Sequence, residues 1–597
     1  MAYSIVFADL SFAWPDGSTA FNQLHGAFGE GRTGLVGRNG TGKSTLLRLI
    51  TGELVPAGGT LSIDGTVGYL PQNITLTGDR SIADLLGISA KRAALHAIYA
   101  GDASEHNFAT VGDDWEIEEL AQAELGRFGI LPDDAHTPDG ADAPDSDPDG
   151  ARDADGAGDG DVLDRRVATL SGGEVVLTGL AGLLLRKPDI TVLDEPTNNL
   201  DRRARELLYA AIRGWRGVLI VVSHDRELLD LMDNIAELRD GELRNFGGNF
   251  SSYLEQIDAE QEAARRMLTS AESTARREKR QLAEARIKLD RRVRYGKKMQ
   301  ANKREPKIIM NQRKREAQES AGKHRTMHLE KVAEAEAAAE AAEEQVRADR
   351  VIRIDLSGSE VPAGRTILDV DFRGTTLQVR GPERIALLGD NGSGKTTLLN
   401  AIVAAGSATG SAGGNAAGKA AETPAGYPAG RTAAEYPVAN AEKSAGETDF
   451  EPRFVIDRIG YLPQRLDSLD DSRTVMDNVR TAVPEATPHE IRAGLARFLL
   501  RGDKPEQLVA QLSGGERFRV ALAQLLLVRQ PPQLLILDEP TNNLDLDSVA
   551  QLVSALDGYC GALIVVSHAA DFLHELAVGR WVRVGVDGLS EVDPADG

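Results

Sequence analysis

One cysteine, Cys560, is all that 597 residues provide. No intrachain disulfide can form, and a cysteine-rich zinc or iron–sulfur site is excluded, which favours a reducing compartment. The start, MAYSIVFADLSFAW, lacks a basic stretch followed by a long apolar one, so no signal peptide is expected. No apolar run approaches the roughly 20 residues needed to span a bilayer. The most apolar, GVLIVVS (217–223) and GALIVVS (561–567), read as buried parallel strands instead. The expectation is a cytoplasmic chain with no membrane contact. Positive charge is scarce as well: 68 Lys and Arg stand against 91 Asp and Glu, for a net charge of −23. What remains is 41% hydrophobic and too long for a single core, so at least two domains are expected.

An internal repeat organises those domains. GRNGTGKST (37–45) recurs as GDNGSGKTT (389–397), and GYLPQ (68–72) recurs at 460–464. LSGGE (170–174) recurs at 512–516, LDEPTNNLD (193–201) at 537–545, and LIVVSH (219–224) at 563–568. Five blocks in one order mean a duplicated α/β domain, read here as 1–250 and 351–597 around a segment 251–350. The spacings differ between copies at two places. An acidic, Gly/Pro-rich stretch at about 133–161 enlarges the first copy, and a Gly/Ala-rich one at about 404–450 enlarges the second. Neither can bury a core, and both are expected to be disordered surface insertions.

The repeated blocks carry chemistry. GRNGTGKS and GDNGSGKT both fit the P-loop pattern G-x-x-x-x-G-K-[ST] between an apolar strand and a helix. Backbone N–H groups of Gly37, Asn39, Gly40, Gly42 and Thr45, and of Gly389, Asn391, Gly392, Gly394 and Thr397, would cradle phosphate oxygens of ATP. Lys43 and Lys395 would meet the β- and γ-phosphates, and Ser44 and Thr396 would offer hydroxyls to Mg²⁺. ITVLDEP and LLILDEP read as buried strands, each ending in two carboxylates. Asp194 and Asp538 would support Mg²⁺, while Glu195 and Glu539 would polarise the attacking water, since phosphoryl transfer needs positioning and charge neutralisation.

Taken together these motifs resemble the ATP-binding cassette superfamily. The Asn-Asn pair in EPTNNLD, twin cassettes in one chain and a charged linker are similar to its F subfamily, whose members are ribosome-associated ATPases. The resemblance implies two P-loop cassettes joined by a helical hairpin. It implies that Gln72 and Gln464 sense Mg²⁺ and the water, and that Ser171, Gly172 and Gly173, with Ser513, Gly514 and Gly515, touch the γ-phosphate in trans. Site one would then join Lys43, Glu195 and His224 to the signature at 512–516. Site two would join Lys395, Glu539 and His568 to the signature at 170–174. The protein would be a monomer acting as an intramolecular cassette dimer, with no permease. Trp14 would stack on adenine in site one, whereas SGSEVPAGRTIL offers site two no aromatic. Leu177 stands where the second signature helix has Arg519, and His224 is followed by DRE where His568 is followed by AAD. These departures raise two alternatives: a slower site two, or drift without kinetic consequence.

Between the cassettes strand signals vanish and Ala, Glu, Gln, Lys and Arg dominate, all good helix formers. Residues 251–294 read as one long helix, Gly296 and Pro306 bracket a reversal, and a second helix returns. Residues 276–325 hold 19 Lys and Arg against 6 Asp and Glu. Such a basic element suits a phosphate backbone. Arg294, Lys297, Lys298, Lys303, Arg304, Lys307, Arg313, Lys314 and Arg315 are the candidate contacts to RNA, while KIIM (307–310) could touch unstacked bases or pack the hairpin. The resemblance implies the ribosome as partner, through ribosomal RNA and tRNA, with the linker tip near the peptidyl-transferase centre. Outcomes in that family are translational regulation or antibiotic protection. A transporter's energising subunit would leave the basic linker without a role. A DNA-processing member would carry a further basic tail, whereas this chain ends in the acidic RVGVDGLSEVDPADG.

Overall fold

The computed structural model describes residues 4–72, 74, 80–130, 161–198, 200–301, 323, 326–343, 352, 356–390, 392–412, 450–466, 468–542, 544–585 and 587–594. By internal contacts the chain forms two units, Met1–Phe250 with Val351–Gly597, and Ser251–Arg350. The first unit holds both cassettes.

Cassette one contains β1 (Ser4–Ala13), β2 (Thr19–Phe28), β3 (Gly31–Val36), β4 (Gly58–Asp64), β5 (Val67–Leu70), β6 (Ile190–Asp194), β7 (Val218–Val222), β8 (Asn234–Arg239) and β9 (Glu242–Gly247). They form an antiparallel sheet β2-β1-β4 and a six-stranded sheet β5-β6-β7-β3-β8-β9. The larger sheet is parallel except for the closing β8–β9 hairpin. Every residue of β6 and β7 is buried, which is why these strands read as unbroken apolar runs rather than alternating ones.

Cassette two repeats the plan with β10 (Thr366–Phe372), β11 (Thr375–Arg380), β12 (Arg384–Leu388), β13 (Phe450–Val455), β14 (Ile459–Leu462), β15 (Leu534–Asp538), β16 (Ala562–Val566), β17 (Arg580–Gly585) and β18 (Gly588–Val592). Its sheets are β11-β10-β13 and β14-β15-β16-β12-β17-β18.

In each cassette the helix after the P-loop is wedged between the two sheets. Leu46 and Leu47 share a core with Phe7 of β1 and Ile220 of β7, as Leu398 and Leu399 do with Val370 of β10 and Ile564 of β16. Burying each such leucine stabilises by about 1.5–3 kcal/mol, so the loop ahead of the helix is firmly anchored.

The linker unit contains the helix Phe250–Ala301 and a second helical stretch at 326–343. Lys279 and Glu336 form an ion pair at 2.7 Å between them. The first helix does not end at 294 as expected but runs through Gly296 to Ala301, into the interval before Pro306 in which the reversal is expected. One glycine costs a helix about 1 kcal/mol against alanine, too little to stop it among Lys, Arg, Met and Gln. A second correction concerns the expected insertion at about 404–450, because the helix Lys395–Ala412 occupies its first nine residues. Residues 413–449, and 133–160 of the other insertion, lie outside the described residues.

Candidate functional site

Strand order brings the repeated motifs together. In cassette one β6, β7 and β3 are adjacent, so the residues following their C-terminal ends share one edge of the sheet. That edge collects Asp194 and Glu195 after β6, His224 after β7 and the P-loop after β3, the usual ligand position in an open parallel sheet. The register pairs Asp194 with Val222, two residues before His224. In cassette two the adjacent strands β15, β16 and β12 do the same for Asp538, Glu539, His568 and the second P-loop.

Each P-loop turns back on its own lysine. Lys43 Nζ donates to the carbonyls of Gly37 (2.6 Å) and Arg38 (3.2 Å), and Lys395 Nζ to those of Gly389 (2.5 Å) and Asp390 (3.0 Å). The first glycine must be glycine. Its φ is 155° in Gly37 and 144° in Gly389, and a Cβ would lie 2.4 Å from the Leu238 carbonyl oxygen or 2.6 Å from that of Val584. Gly42 N-caps the helix Lys43–Ile50, whose first turn carries no acidic residue, leaving its N–H groups available to an anion. Gly40 and Gly392 are exposed in the left-handed conformation, Thr45 is buried in the helix, and Thr397 is exposed. Asn391 lies outside the described residues.

The carboxylates are buried and strained. Glu195 and Glu539 both adopt positive φ, 51° and 46°, in a region that costs a residue with a Cβ about 1–3 kcal/mol. The same outlier in both copies marks a position held for function. Glu195 Oε1 lies 3.1 Å from His224 Nε2, and Glu539 Oε1 3.3 Å from His568 Nε2. Burial pushes Glu195 up to about 8 against the pull of Lys43, and Glu539 to about 7 against Lys395 and Arg205. Burial pushes the imidazoles the other way, His224 to about 3 and His568 to about 4.

The donor set fits a hard cation. The hydroxyl of Ser44 donates to Asp194, yet buried Asp194 Oδ1 has no hydrogen-bond partner. Thr396 Oγ1 donates to Asp538 Oδ2 at 3.1 Å. Burial raises both aspartates, as expected for carboxylates awaiting a positive ligand. Gln72 and Gln464 are exposed just past β5 and β14. No group of three or more His, Cys, Asp or Glu forms a metal cage among the described residues. One hydroxyl and one carboxylate suit Mg²⁺, which usually keeps waters and substrate phosphates in its shell.

The signatures start helices. Ser171 and Ser513 N-cap Gly172–Arg186 and Gly514–Leu526 in capping boxes with Glu174 and Glu516. A Cβ on Gly515 would lie 2.5 Å from Ser548 Oγ, so this signature rests against the LDLD segment of its own cassette. Asp545 of that segment caps Ser548 N (2.8 Å) and accepts from Asn39 N–H in the other cassette's P-loop (2.7 Å). Arg38 and Asp547 add an ion pair at 3.3 Å. A continuous path thus leads from the second signature to the first P-loop. Toward site two, burial lowers both Lys395 and His568, and the charge of Asp201 opposes that lowering in each.

Two sequence departures take on a physical meaning. Arg519 Nη1 donates to Gln551 Oε1 at 3.0 Å, both residues being buried, and the counterparts in cassette one are Leu177 and Leu207. The exchange replaces one polar pair by one apolar pair inside a cassette. Trp14, packed edge-on against Phe12 with ring centroids 5.2 Å apart, sits at the β1–β2 turn. The matching turn in cassette two is β10–β11, not SGSEVPAGRTIL. It carries Arg373, which covers the Phe372 ring and donates to the carbonyls of Ser393 (3.1 Å) and Gly585 (2.8 Å). Cassette two therefore carries a guanidinium, bonded to its P-loop through Ser393, in the turn where cassette one carries an indole. Sequence reasoning missed Arg373, Arg205 and Asp545. Only comparison of the two β-hairpin turns could have pointed to the first.

The ABC transporter family model matches residues 22–198 and 372–542. The chain belongs to the ATP-binding cassette family, as a twin-cassette protein of the F subfamily. It is 30% identical to the tylosin resistance ATP-binding protein TlrC of Streptomyces fradiae, over 93% of this chain and 92% of that one. It is 29% identical to the energy-dependent translational throttle protein EttA of Escherichia coli (strain K12), over 92% and 86%. Among solved structures, the complex of archaeal ribosomal stalk protein aP1 with archaeal ribosome recycling factor aABCE1 matches at TM-score 0.50 and 17% identity, over 96% of this F-subfamily chain and 87% of that one. That likeness shows the fold.

In the linker of this F-subfamily protein, Arg294 and Lys298 are exposed on the helix. The side chain of Lys297, and all of Lys303, Arg304, Lys307, Arg313, Lys314, Arg315 and the KIIM stretch, lie outside the described residues. Among the described residues no helix is long and apolar enough to cross a membrane.

Proposed function

We propose that this protein is a cytoplasmic ATPase that binds the ribosome with its cassettes closed on ATP. It would insert its linker near the peptidyl-transferase centre, modulate translation or displace an antibiotic there, and leave after hydrolysis. The observation that carries the reading is the paired nucleotide site, in which the LDLD segment of cassette two already touches the P-loop of cassette one. The relatives add direction, since one is named for throttling translation and another for tylosin resistance.

In site one Lys43 and the loop N–H groups would bind the triphosphate, with Trp14 against the base. Ser171 and Ser513 with their glycines would close over the γ-phosphates from the opposite cassettes. Ser44, Asp194 and Gln72, or Thr396, Asp538 and Gln464, would hold Mg²⁺, which supplies charge neutralisation at the phosphate oxygens. Glu195 or Glu539 would take a proton from water as its oxygen attacks the γ-phosphorus and the bond to the β-phosphate oxygen breaks. The neutral imidazole of His224 or His568 would orient that carboxylate. ADP and phosphate leave, and the clamp loses the ligands that bridged its halves. Counterion release at the basic linker would supply affinity for RNA.

The test is a Glu195→Gln/Glu539→Gln double variant, sedimented with ribosomes in ATP. Co-sedimentation that disappears when the basic residues of 295–315 are neutralised supports the reading. Absence of the trapped protein from the ribosomal pellet refutes it.

A further inference from the structure

The two cassettes are copies, so a contact made by one and impossible for its counterpart shows where the pair has diverged. Arg205 lies in the first turn of the helix Arg202–Arg213, which Asp201 caps through Ala204 N. Its Nη1 donates to the main-chain carbonyl of His568, in the other cassette, at 3.1 Å. The side chain is only 17% exposed and lies 3.9 Å from Asp225 Oδ2, while its Nε is buried without a hydrogen-bond partner. An incompletely paired guanidinium in such a place is costly and needs a reason. Aligning LDEPTNNLD with its repeat makes Val549 the counterpart of Arg205, and valine can donate nothing to the His224 carbonyl. The neighbouring contact is one-sided too. Arg226 Nη1 meets Glu575 Oε1 at 2.5 Å, and the corresponding residues are Ala570 and Leu231.

We propose that Arg205 is a positioning residue that acts across the cassette interface for site two alone. By holding the His568 main chain it sets the imidazole against Glu539 whenever the cassettes are in contact. Among the described residues site one has no equivalent strap, Val549 standing where Arg205 would be. The inference rests on the hydrolysis reading above. The field of the guanidinium works in the same direction, because Glu539 feels Arg205 as well as Lys395, whereas Glu195 feels Lys43. The substitutions that made site two look weaker in sequence are thus accompanied by an added support from the opposite cassette.

The test separates the sites by single-turnover cleavage of bound ATP. Glu195→Gln leaves only site two competent, and Glu539→Gln only site one. Adding Arg205→Ala should slow cleavage at least about tenfold in the first background, with the half-saturating ATP concentration changed less than about twofold, as for lost alignment rather than lost binding. In the second background the rate should stay within about twofold, which also shows that the substituted protein folds. Arg205→Lys should recover part of the site-two rate. Equal losses in both backgrounds, no loss in either, or a loss confined to ATP affinity would overturn the proposal. If both parent variants bind ATP but cleave none, the hydrolysis reading itself fails, and this inference with it.

Discussion

Glu195 and Glu539 make the acid side of the pH profile diagnostic. A general base works only when ionised, so raising its pKa removes activity at low pH and restores it as pH climbs through the raised value. With Glu195 near 8, roughly one carboxyl in a hundred is ionised at pH 6 and one in two at pH 8. With Glu539 near 7 the same interval runs from roughly one in ten to nine in ten. Burial raises both carboxyls, and the groups that adjust it are Lys43, Asp194, His224 and Asp225 around the first, and Lys395, Arg205, Asp538 and His568 around the second. The imidazoles stay neutral throughout, being pushed to about 3 and about 4. The assay is the single-turnover rate at sub-saturating ATP, which, like kcat/KM, reports the free enzyme. Measured from pH 5.5 to 9, the Glu539→Gln variant should rise about fifty-fold between pH 6 and 8, and the Glu195→Gln variant about tenfold. Superimposed profiles, an acid limb in the ordinary carboxylate range, or a higher limb for site two would refute the reasoning.

Asp545 should separate helix capping from cassette contact. Asp545→Ala loses both the Ser548 cap and the Asn39 bond, and should cost cassette two about 1 kcal/mol, or roughly 2–4 °C in melting temperature. Asp545→Asn keeps an acceptor for the cap and should melt near the parent while still weakening ATP-dependent closure, followed by distance-sensitive fluorescence between the cassettes. Leu177→Arg should destabilise by about 3 kcal/mol or more, because it buries an unpaired charge. Adding Leu207→Gln, which restores the pairing found at Arg519 and Gln551, should recover part of that loss in denaturant unfolding.

The fold was legible because its signals are local. A buried strand, a glycine turn and a helix lie within about twenty residues of each P-loop, and two copies of the same run removed the ambiguity. Burial of β6, β7, β15 and β16 follows directly from runs such as VLIVV and LLILD. Helix ends were harder to place. Gly296 and the Gly/Ala run after Val403 carry stop signals that neighbouring residues override, since one glycine alters a helix by only about 1 kcal/mol. The least legible features were contacts between distant segments. Asn39 meets Asp545 across 506 residues and Arg205 meets His568 across 363, and neither pair leaves any periodicity in the chain. Arg373 was missed for another reason: the β1–β2 turn is longer than its counterpart, so alignment along the sequence drifted off the turn.

The Arg38–Asp547 ion pair also bears on which cassettes can meet. In the repeat, Asp390 stands for Arg38, and Arg203 stands for Asp547. Two first cassettes from different molecules would therefore bring Arg38 against Arg203, and two second cassettes would bring Asp390 against Asp547. Either match sets like charges together beside a nucleotide, while the pairing within one chain sets opposites together. Duplication gave this protein two halves able to recognise each other, and the exchange of sign at these positions gave each half a reason to refuse its twin.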